Sequence, residues 1–116
     1  MKSGKVASYI PARGDIIWID FNPQAGHEQA GQRPAIIVSP GSYNQRVGLA
    51  LLCPITNQAK GYPFEVVLPQ GMQTSGVVLA DQIKSLDWQV RRASFIEQAP
   101  PEVINELIAK LKPLIL

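Results

Sequence analysis

Prolines and glycines are spread along the whole of this 116-residue chain, ten of the former and nine of the latter. Both residue types interrupt regular secondary structure, so their spacing limits the length of any helix or strand between them. Only the C-terminal segment is left long enough for a helix, and the remainder divides into short strands. The pattern predicts a mainly β fold, either a small antiparallel barrel or a strongly curved antiparallel sheet.

Five short apolar segments are the predicted strands: residues 15–21, 34–38, 49–53, 64–68 and 76–80. In the first, Ile17 and Ile19 face one side of the sheet, while Ile16 and Trp18 face the other. Core packing is the favoured interpretation of Trp18, and stacking of a base on a partly exposed ring is the alternative. The second and third segments are apolar at successive positions, which predicts central strands covered on both faces.

The C-terminal segment has apolar residues at helical spacing: Val103, Ile104, Leu107, Ile108 and Leu111. Pro101 suits the first turn of a helix, where its missing N–H has no partner to lose. Pro113 is expected to end the helix, because a residue that precedes proline avoids helical backbone angles. We expect this helix to pack against the sheet and to carry no chemistry.

The composition, 46% apolar and 17% charged, predicts one compact domain over residues 1–116, with residues 1–8 as a flexible N-terminal tail. No segment approaches the roughly 20 apolar residues that span a bilayer, and no signal peptide is evident. We therefore expect a cytoplasmic protein with no membrane partner. Cys53, the only cysteine, lies in an apolar run and is predicted to be a buried thiol. The net charge of +2 permits a nucleic-acid partner without requiring one.

The inventory of reactive side chains argues against several classes of enzyme. One histidine, one cysteine and scattered carboxylates supply no plausible set of metal ligands. They supply no Ser-His-Asp or Cys-His arrangement either, and no glycine-rich loop leads from a strand into a helix. An enzyme built from these residues must rely on positioning and charge stabilisation, with a nucleophile that its substrate brings. RNA brings one, the 2′-hydroxyl beside the scissile phosphate.

Two polar loops, residues 22–33 and 56–63, adjoin the predicted central strands and are expected at one end of the sheet. Arg33 closes the first loop, and its guanidinium can bind two phosphate oxygens and stabilise charge that grows at phosphorus. Thr56 opens the second and offers a hydroxyl to a phosphate oxygen. The alternatives are a surface arginine paired with an acid and a threonine that caps a loop.

Further polar residues are candidates, although none is specific alone. Glu28 and His27 are possible proton carriers. Side chains suited to base edges or to the RNA backbone are Gln29, Gln32, Asn57, Gln58, Lys60, Lys84, Arg91 and Arg92. The alternative for each is an ordinary solvated surface residue.

Four segments resemble the MazF/PemK toxin family in order and spacing: GDIIWIDFNPQAGHEQAGQRPAIIVSP, the pair Tyr43-Asn44, CPITNQAKGYPFEVVL and GVVLADQIKSLDW. The resemblance implies a curved antiparallel sheet of the PemK/CcdB type, an SH3-like barrel, with a C-terminal helix. It implies a homodimer whose interface forms or borders an RNA groove. It also implies sequence-specific cleavage of single-stranded RNA without metal or cofactor, which leaves a 2′,3′-cyclic phosphate and a 5′-hydroxyl.

The resemblance also implies residue roles. Catalysis falls to Arg33 of the GxRP motif and to Thr56 after the CP strand, with Glu28 as a substrate-loop contact and proton carrier. Within the matching segments, Asp20, Gln82 and Lys84 are taken as substrate-binding residues. The implied partner is a cognate antitoxin with an acidic, flexible C-terminal tail.

One position departs from the family pattern, since Gln32 stands where some members have a histidine. Glutamine cannot exchange a proton near neutral pH, so Glu28 or His27 must carry protons here, or position 32 only contacts bases. Two other functions stay open: a toxin of the same fold that poisons DNA gyrase without cleaving RNA, and a non-catalytic RNA-binding or protein-interaction module.

Overall fold

The computed structural model describes residues 9–21 and 31–116. Within these residues the strands are β1 Asp15–Asp20, β2 Gln32–Ile37, β3 Ala50–Thr56, β4 Glu65–Val67, β5 Val77–Leu79, β6 Lys84–Leu86 and β7 Ser94–Gln98. The helices are α1 Gly41–Val47 and α2 Pro101–Ile115, and a 3₁₀ turn, Ala80–Gln82, separates β5 from β6.

The strands form one antiparallel sheet in the order β4-β5-β3-β2-β1-β7. The remaining strand, β6, pairs with the first half of β3, while β5 pairs with its end. Strand β3 therefore has β2 on one side and β6 followed by β5 on the other. The predicted mainly β fold, an antiparallel sheet with a C-terminal helix, is confirmed.

Each face of the central strands carries its own hydrophobic core. The first core joins the sheet to α2 and includes Ile16, Ile36, Cys53, Ile55, Val66, Val78, Val103, Leu107 and Leu111. The second core covers the opposite face and contains Ile17, Ile19, Ala35, Ile37, Ala50, Leu52 and Trp88. The prediction of central strands covered on both faces is confirmed for β2, whose Ala35, Ile36 and Ile37 are all fully buried.

The boundaries of β2 and β3 differ from those predicted. Strand β2 begins at Gln32, so Gln32 and Arg33 belong to a strand and not to the preceding loop. Strand β3 continues through Pro54 to Thr56. Pro54, which has no N–H to donate, lies between the residues that pair with β6 and those that pair with β5. A proline is tolerated there because the neighbouring ladder is interrupted at that point.

The prediction that only the C-terminus forms a helix was wrong, because α1 is a second helix. Its fourth residue, Asn44, is fully buried and donates from its side-chain amide to the carbonyl oxygens of Pro11 and Ser39. Gly48 ends the helix in the left-handed conformation, and the Trp88 indole donates to the Asn44 carbonyl. Such a short helix depends on these tertiary contacts, which its local sequence does not reveal.

Helix α2 has the predicted buried face, but Pro113 does not end it. The helix continues to Ile115, and the N–H of Leu116 donates to the carbonyl of Lys112. A proline in the last turn removes a single backbone hydrogen bond, which the surrounding turn tolerates. Within the described residues, no helix has the length and apolarity that crossing a bilayer requires.

Two side chains of the sheet test the sequence predictions directly. Cys53 is fully buried, as predicted. Trp18 is 44% exposed, so the favoured interpretation of it as a core residue was wrong. Trp18 alternates with Ile16 along β1, so the sequence placed both on one buried face. The first core contains Ile16 but ends before it reaches Trp18.

Leu107 tests the contribution of α2 to stability. It is fully buried between the helix and the sheet, so Leu107→Ala should lower the free energy of unfolding by about 2–5 kcal/mol. Urea unfolding followed by circular dichroism measures this loss. Leu114→Ala on the same helix is the control, because Leu114 is 45% exposed and should cost under about 0.5 kcal/mol. Equal losses from the two variants would contradict the packing described here.

Cys53 should be chemically inert in the folded protein. Burial, and then the negative charge of Asp81, raise the pKa of its thiol from 9.0 to about 12. Because the thiolate is the reactive form, a disulfide reagent at pH 8 should label the native protein far more slowly than the chain unfolded in guanidinium. The raised pKa also stabilises the fold below pH 9.0, and this contribution is lost as the pH rises towards 12. Rapid labelling under native conditions would show that the thiol is accessible.

Candidate active site

Arg33 and Thr56 lie at the end of the sheet where β2 begins and β3 ends. The pairing of Ala35 with Pro54 fixes the antiparallel register of these strands. Continued towards the strand ends, the same register brings Arg33 opposite Thr56. Opposed side chains of an antiparallel pair project from the same face with their Cβ atoms about 5 Å apart. The extended register therefore puts the guanidinium and the hydroxyl on adjacent strands at one end of the sheet, two residues beyond the last recorded pair, Ala35 and Pro54.

Strand β1 places further predicted residues at this end. Ile19 pairs with Arg33, and Asp20 pairs with Gln32. Arg91 holds the end of β1, since its guanidinium donates to the carbonyl oxygens of Asp20 and Phe21. Arg91 thus has a structural partner, and its predicted contact with an RNA backbone has no support from this geometry.

A pocket of about 180 Å³ opens beside Thr56. Its lining residues are Thr56, Gln58, Lys60, Tyr62, Glu65, Leu79, Asp81 and Gln82. The pocket brings together four predicted site residues from two segments, the loop after β3 and the 3₁₀ turn after β5. Its wall offers amide, ammonium, hydroxyl and carboxylate groups, which can form hydrogen bonds with a polar ligand.

The loop after β3 is held by a buried carboxylate. Glu65 accepts hydrogen bonds from the N–H groups of Lys60 and Gly61, at 2.9 and 3.0 Å. Its own carbonyl oxygen accepts a hydrogen bond from Lys110 of α2 at 2.7 Å. At the start of the same loop, the hydroxyl oxygen of Thr56 accepts a hydrogen bond from the N–H of Gln58 at 3.1 Å. These contacts fix the backbone that presents Gln58 and Lys60 to the pocket.

Gly76 lies directly against the backbone of Thr56. It has a φ of +113°, and a Cβ added to it would overlap the carbonyl oxygen of Thr56 and lie 2.8 Å from the carbonyl carbon. The same Cβ would lie 3.0 Å from Oδ1 of Asn57. Only glycine fits this position, both for its backbone angle and for the space.

The remaining predicted residues divide into three groups. Asn57 lies in a separate hollow of about 270 Å³ with Trp18 and Pro34, and its Oδ1 accepts a hydrogen bond from Ser75. Lys84 is exposed at the start of β6, opposite Leu52, and does not line the pocket. The predicted residues His27, Glu28 and Gln29 lie outside the described residues.

Tyr62, Glu65 and Asp81 line the pocket but were not predicted as site residues. Tyr62 is 58% exposed, so its ring is available for stacking. Two signals in the sequence could have found the others: an acid within the apolar segment FEVVL, and an acid beside Gln82. Within residues 9–21 and 31–116, no group of three or more His, Cys, Asp or Glu side chains is arranged to hold a metal ion.

Comparisons with known proteins agree on one family. The family of PemK-like, MazF-like toxins of type II toxin-antitoxin systems matches residues 12–115. The chain is 49% identical to the endoribonuclease toxin MazF of Escherichia coli K12 over 110 residues, which is 95% of this chain and 98% of that protein. It is 36% identical to the endoribonuclease PemK of Escherichia coli, with 89% of this chain and 80% of PemK covered.

Solved structures give the same result. MazF from Deinococcus radiodurans superposes with a TM-score of 0.85 at 52% identity, covering 93% of this chain and 98% of that one. A MazE-MazF complex from the same organism gives a TM-score of 0.84 at 45% identity, with 93% and 97% covered. Fold, motifs and sequence identity over nearly the whole length therefore agree, and the chain belongs to the PemK-like, MazF-like family of type II toxin-antitoxin toxins.

Proposed function

We propose that this toxin is a sequence-specific endoribonuclease that cleaves single-stranded RNA without a metal ion and thereby arrests translation and growth. The observation that carries the proposal is that β2 begins and β3 ends at the same end of the sheet, so that Arg33 and Thr56 both lie there, with Thr56 lining a polar pocket. The relatives MazF and PemK of Escherichia coli are endoribonucleases. The location of the two residues at one end of the sheet supports a shared active site.

The proposed reaction is an internal transfer of the phosphoryl group. The 2′-hydroxyl oxygen attacks the adjacent phosphorus, the bond from phosphorus to the 5′-oxygen breaks, and a 2′,3′-cyclic phosphate and a 5′-hydroxyl are left. Arg33 donates to the phosphate oxygens as negative charge grows on them, and Thr56 donates its hydroxyl. An arginine stays protonated at neutral pH, so its role is electrostatic and not that of a base.

Two protons must move in this reaction, one from the 2′-hydroxyl and one to the 5′-oxygen. Gln32 cannot carry either of them, since an amide does not titrate near neutral pH. We assign the transfer to Glu28, with His27 as the second candidate, because both belong to the segment that joins β1 to β2. That segment begins and ends beside Arg33, since Asp20 pairs with Gln32.

The pocket beside Thr56 is the proposed site for a nucleobase next to the scissile phosphate. Tyr62 supplies an exposed aromatic ring for stacking. Gln58 and Gln82 supply amide donors and acceptors for a base edge, and Lys60 supplies a positive charge for the phosphate backbone. Lys84, exposed on β6, is a second backbone contact further along the RNA, and Asp20, Gln29 and Asn57 complete the proposed substrate-binding set.

The proposed partners follow the family. MazE-MazF complexes among the structural relatives support an antitoxin as the partner that restrains this toxin. An acidic, flexible C-terminal tail on that antitoxin would complement the net charge of +2. We also propose that the toxin acts as a homodimer in the cytoplasm, where it meets messenger RNA.

Arg33→Lys tests whether the planar guanidinium is needed. It keeps the charge but loses the two-pronged donor geometry, so cleavage should fall by about 100-fold. The assay incubates purified protein with a long single-stranded RNA in excess EDTA and maps the new ends. Arg46→Lys, an exposed arginine of α1, is the matched control and should cleave normally.

Discrete cuts with 5′-hydroxyl ends in the wild type would support the proposed reaction. Intact RNA combined with growth arrest would instead favour the gyrase-poisoning alternative. RNA that binds but stays intact, without growth arrest, would favour the RNA-binding module. Near-normal cleavage by Arg33→Lys would show that charge alone suffices.

Gly76→Ala should damage the site through the backbone of Thr56. The added Cβ has no space beside the Thr56 carbonyl, so the end of β3 must shift and cleavage should fall by more than about tenfold. Gly71→Ala is the control, because Gly71 also has a positive φ, +96°, but open space around its Cβ. Both variants bear backbone strain of about 1 kcal/mol, measurable by thermal unfolding. Equal cleavage rates for the two would contradict the role of the Thr56 contact.

A further inference from the structure

A carboxylate far along the chain from Thr56 holds a segment that reaches Thr56. Glu97 lies on β7, at the edge of the sheet, where it pairs with Ile16 of β1. Its two carboxylate oxygens accept hydrogen bonds from the N–H groups of Gln73 and Thr74, at 3.1 and 2.7 Å. The segment between β4 and β5 is thereby tied to the opposite side of the sheet.

Residues 73–76 continue from this attachment to the end of β3. They pass over Trp18 and Pro34, with which residues 73–75 line the hollow of about 270 Å³. The Ser75 hydroxyl then donates to Oδ1 of Asn57 at 2.9 Å. The next residue, Gly76, lies against the carbonyl of Thr56. One short segment therefore contacts two consecutive residues of the proposed site.

The attachment at Glu97 is strong for its exposed surroundings. Desolvation alone would raise its pKa, but hydrogen bonds from the Thr74 side chain and from the N–H groups of Gln73 and Thr74 outweigh it and lower the pKa below 4.5. Glu97 is therefore a full negative charge at neutral pH, and charge-assisted hydrogen bonds are about twice as strong as neutral ones. Thr74, the central residue of the attachment, is itself buried.

We propose that Glu97 is a positioning residue for RNA cleavage, which acts through residues 73–76 to hold Thr56 and Asn57 in place. The inference rests on the proposed function. The connection from β4 to β5, to which residues 73–76 belong, contains Gly71 and Gly76 and lacks regular secondary structure, so it has no ladder of its own to fix its path. Glu97 supplies that constraint from a strand that does not line the pocket beside Thr56.

Loss of the attachment at Glu97 should affect the rate of cleavage more than the binding of RNA. A looser segment lets Thr56 depart from its place at the end of β3, which weakens the contact that its hydroxyl makes in the proposed transition state. The loop that carries Gln58 and Lys60, which are proposed to bind the RNA before reaction, is held elsewhere, by Glu65, and of the proposed binding residues only Asn57 is tied to this segment. Loss of Glu97 should therefore lower kcat by about tenfold while KM changes by less than about twofold.

The test compares four variants of the full chain with the wild type in single-turnover and steady-state cleavage of a short RNA. Glu97→Gln removes the charge and one acceptor. Ser75→Ala removes the exposed hydroxyl that reaches Asn57 and is not expected to affect folding. The double variant joins the two changes, and Glu102→Gln, an exposed acid of α2, is the matched control. Each is assayed well below its measured Tm, so that all molecules are folded.

A positioning role predicts that Glu97→Gln lowers kcat, that Ser75→Ala lowers it less, and that the double variant is no worse than Glu97→Gln alone. Glu102→Gln should match the wild type. The proposal is overturned if Glu97→Gln lowers Tm but cleaves at the wild-type rate, or if the effects of the two substitutions multiply. A wild type that cleaves no RNA refutes the proposed function and the inference with it, whereas an active wild type with an equally active Glu97→Gln refutes the inference alone.

Discussion

The antiparallel pairing of β2 with both β1 and β3 is the interaction on which the proposed site depends. Ala35, Ile36 and Ile37 are buried on both faces of β2, so a slip of one residue would exchange the contents of two hydrophobic cores. The free energy lost in such a slip fixes the register of β2 against its two neighbouring strands. Arg33 lies on the same strand beyond the buried residues, so its position at the end of the sheet, where β3 ends at Thr56, is determined by hydrophobic packing several residues away.

The loops beside these paired strands have irregular backbone, and the carboxylates of two glutamates hold that backbone in place. Two glutamates have the same geometry, since each uses both carboxylate oxygens to accept consecutive backbone N–H groups. Glu65 does so for the loop after β3, and Glu97 does so for the segment before β5. Loops that carry binding residues must satisfy their backbone groups without a strand partner, and a carboxylate meets this need for two groups at once. The site is thus a rigid strand pair flanked by two anchored loops.

Helix α2 contributes more than packing. Its apolar face closes the first core, as its sequence predicted, but Lys110 on its flank donates to the carbonyl of Glu65. The helix is therefore connected to the loop that forms one wall of the pocket. A change in α2 can reach the pocket through this hydrogen bond and through packing against Ala80 of the 3₁₀ turn, although no residue of the helix lines the pocket.

The sequence by itself determined the mainly β fold, the amphipathic C-terminal helix, the burial of Cys53 and, through its motifs, the toxin family. These follow from local periodicity and from residue order. Tertiary structure alone decided that Trp18 is exposed, that α1 forms around the buried Asn44, that Arg33 belongs to a strand, and that Glu65, Gly76 and Glu97 support the site. Each of these depends on contacts between residues distant in the chain, and a one-dimensional pattern contains no record of which distant residues meet.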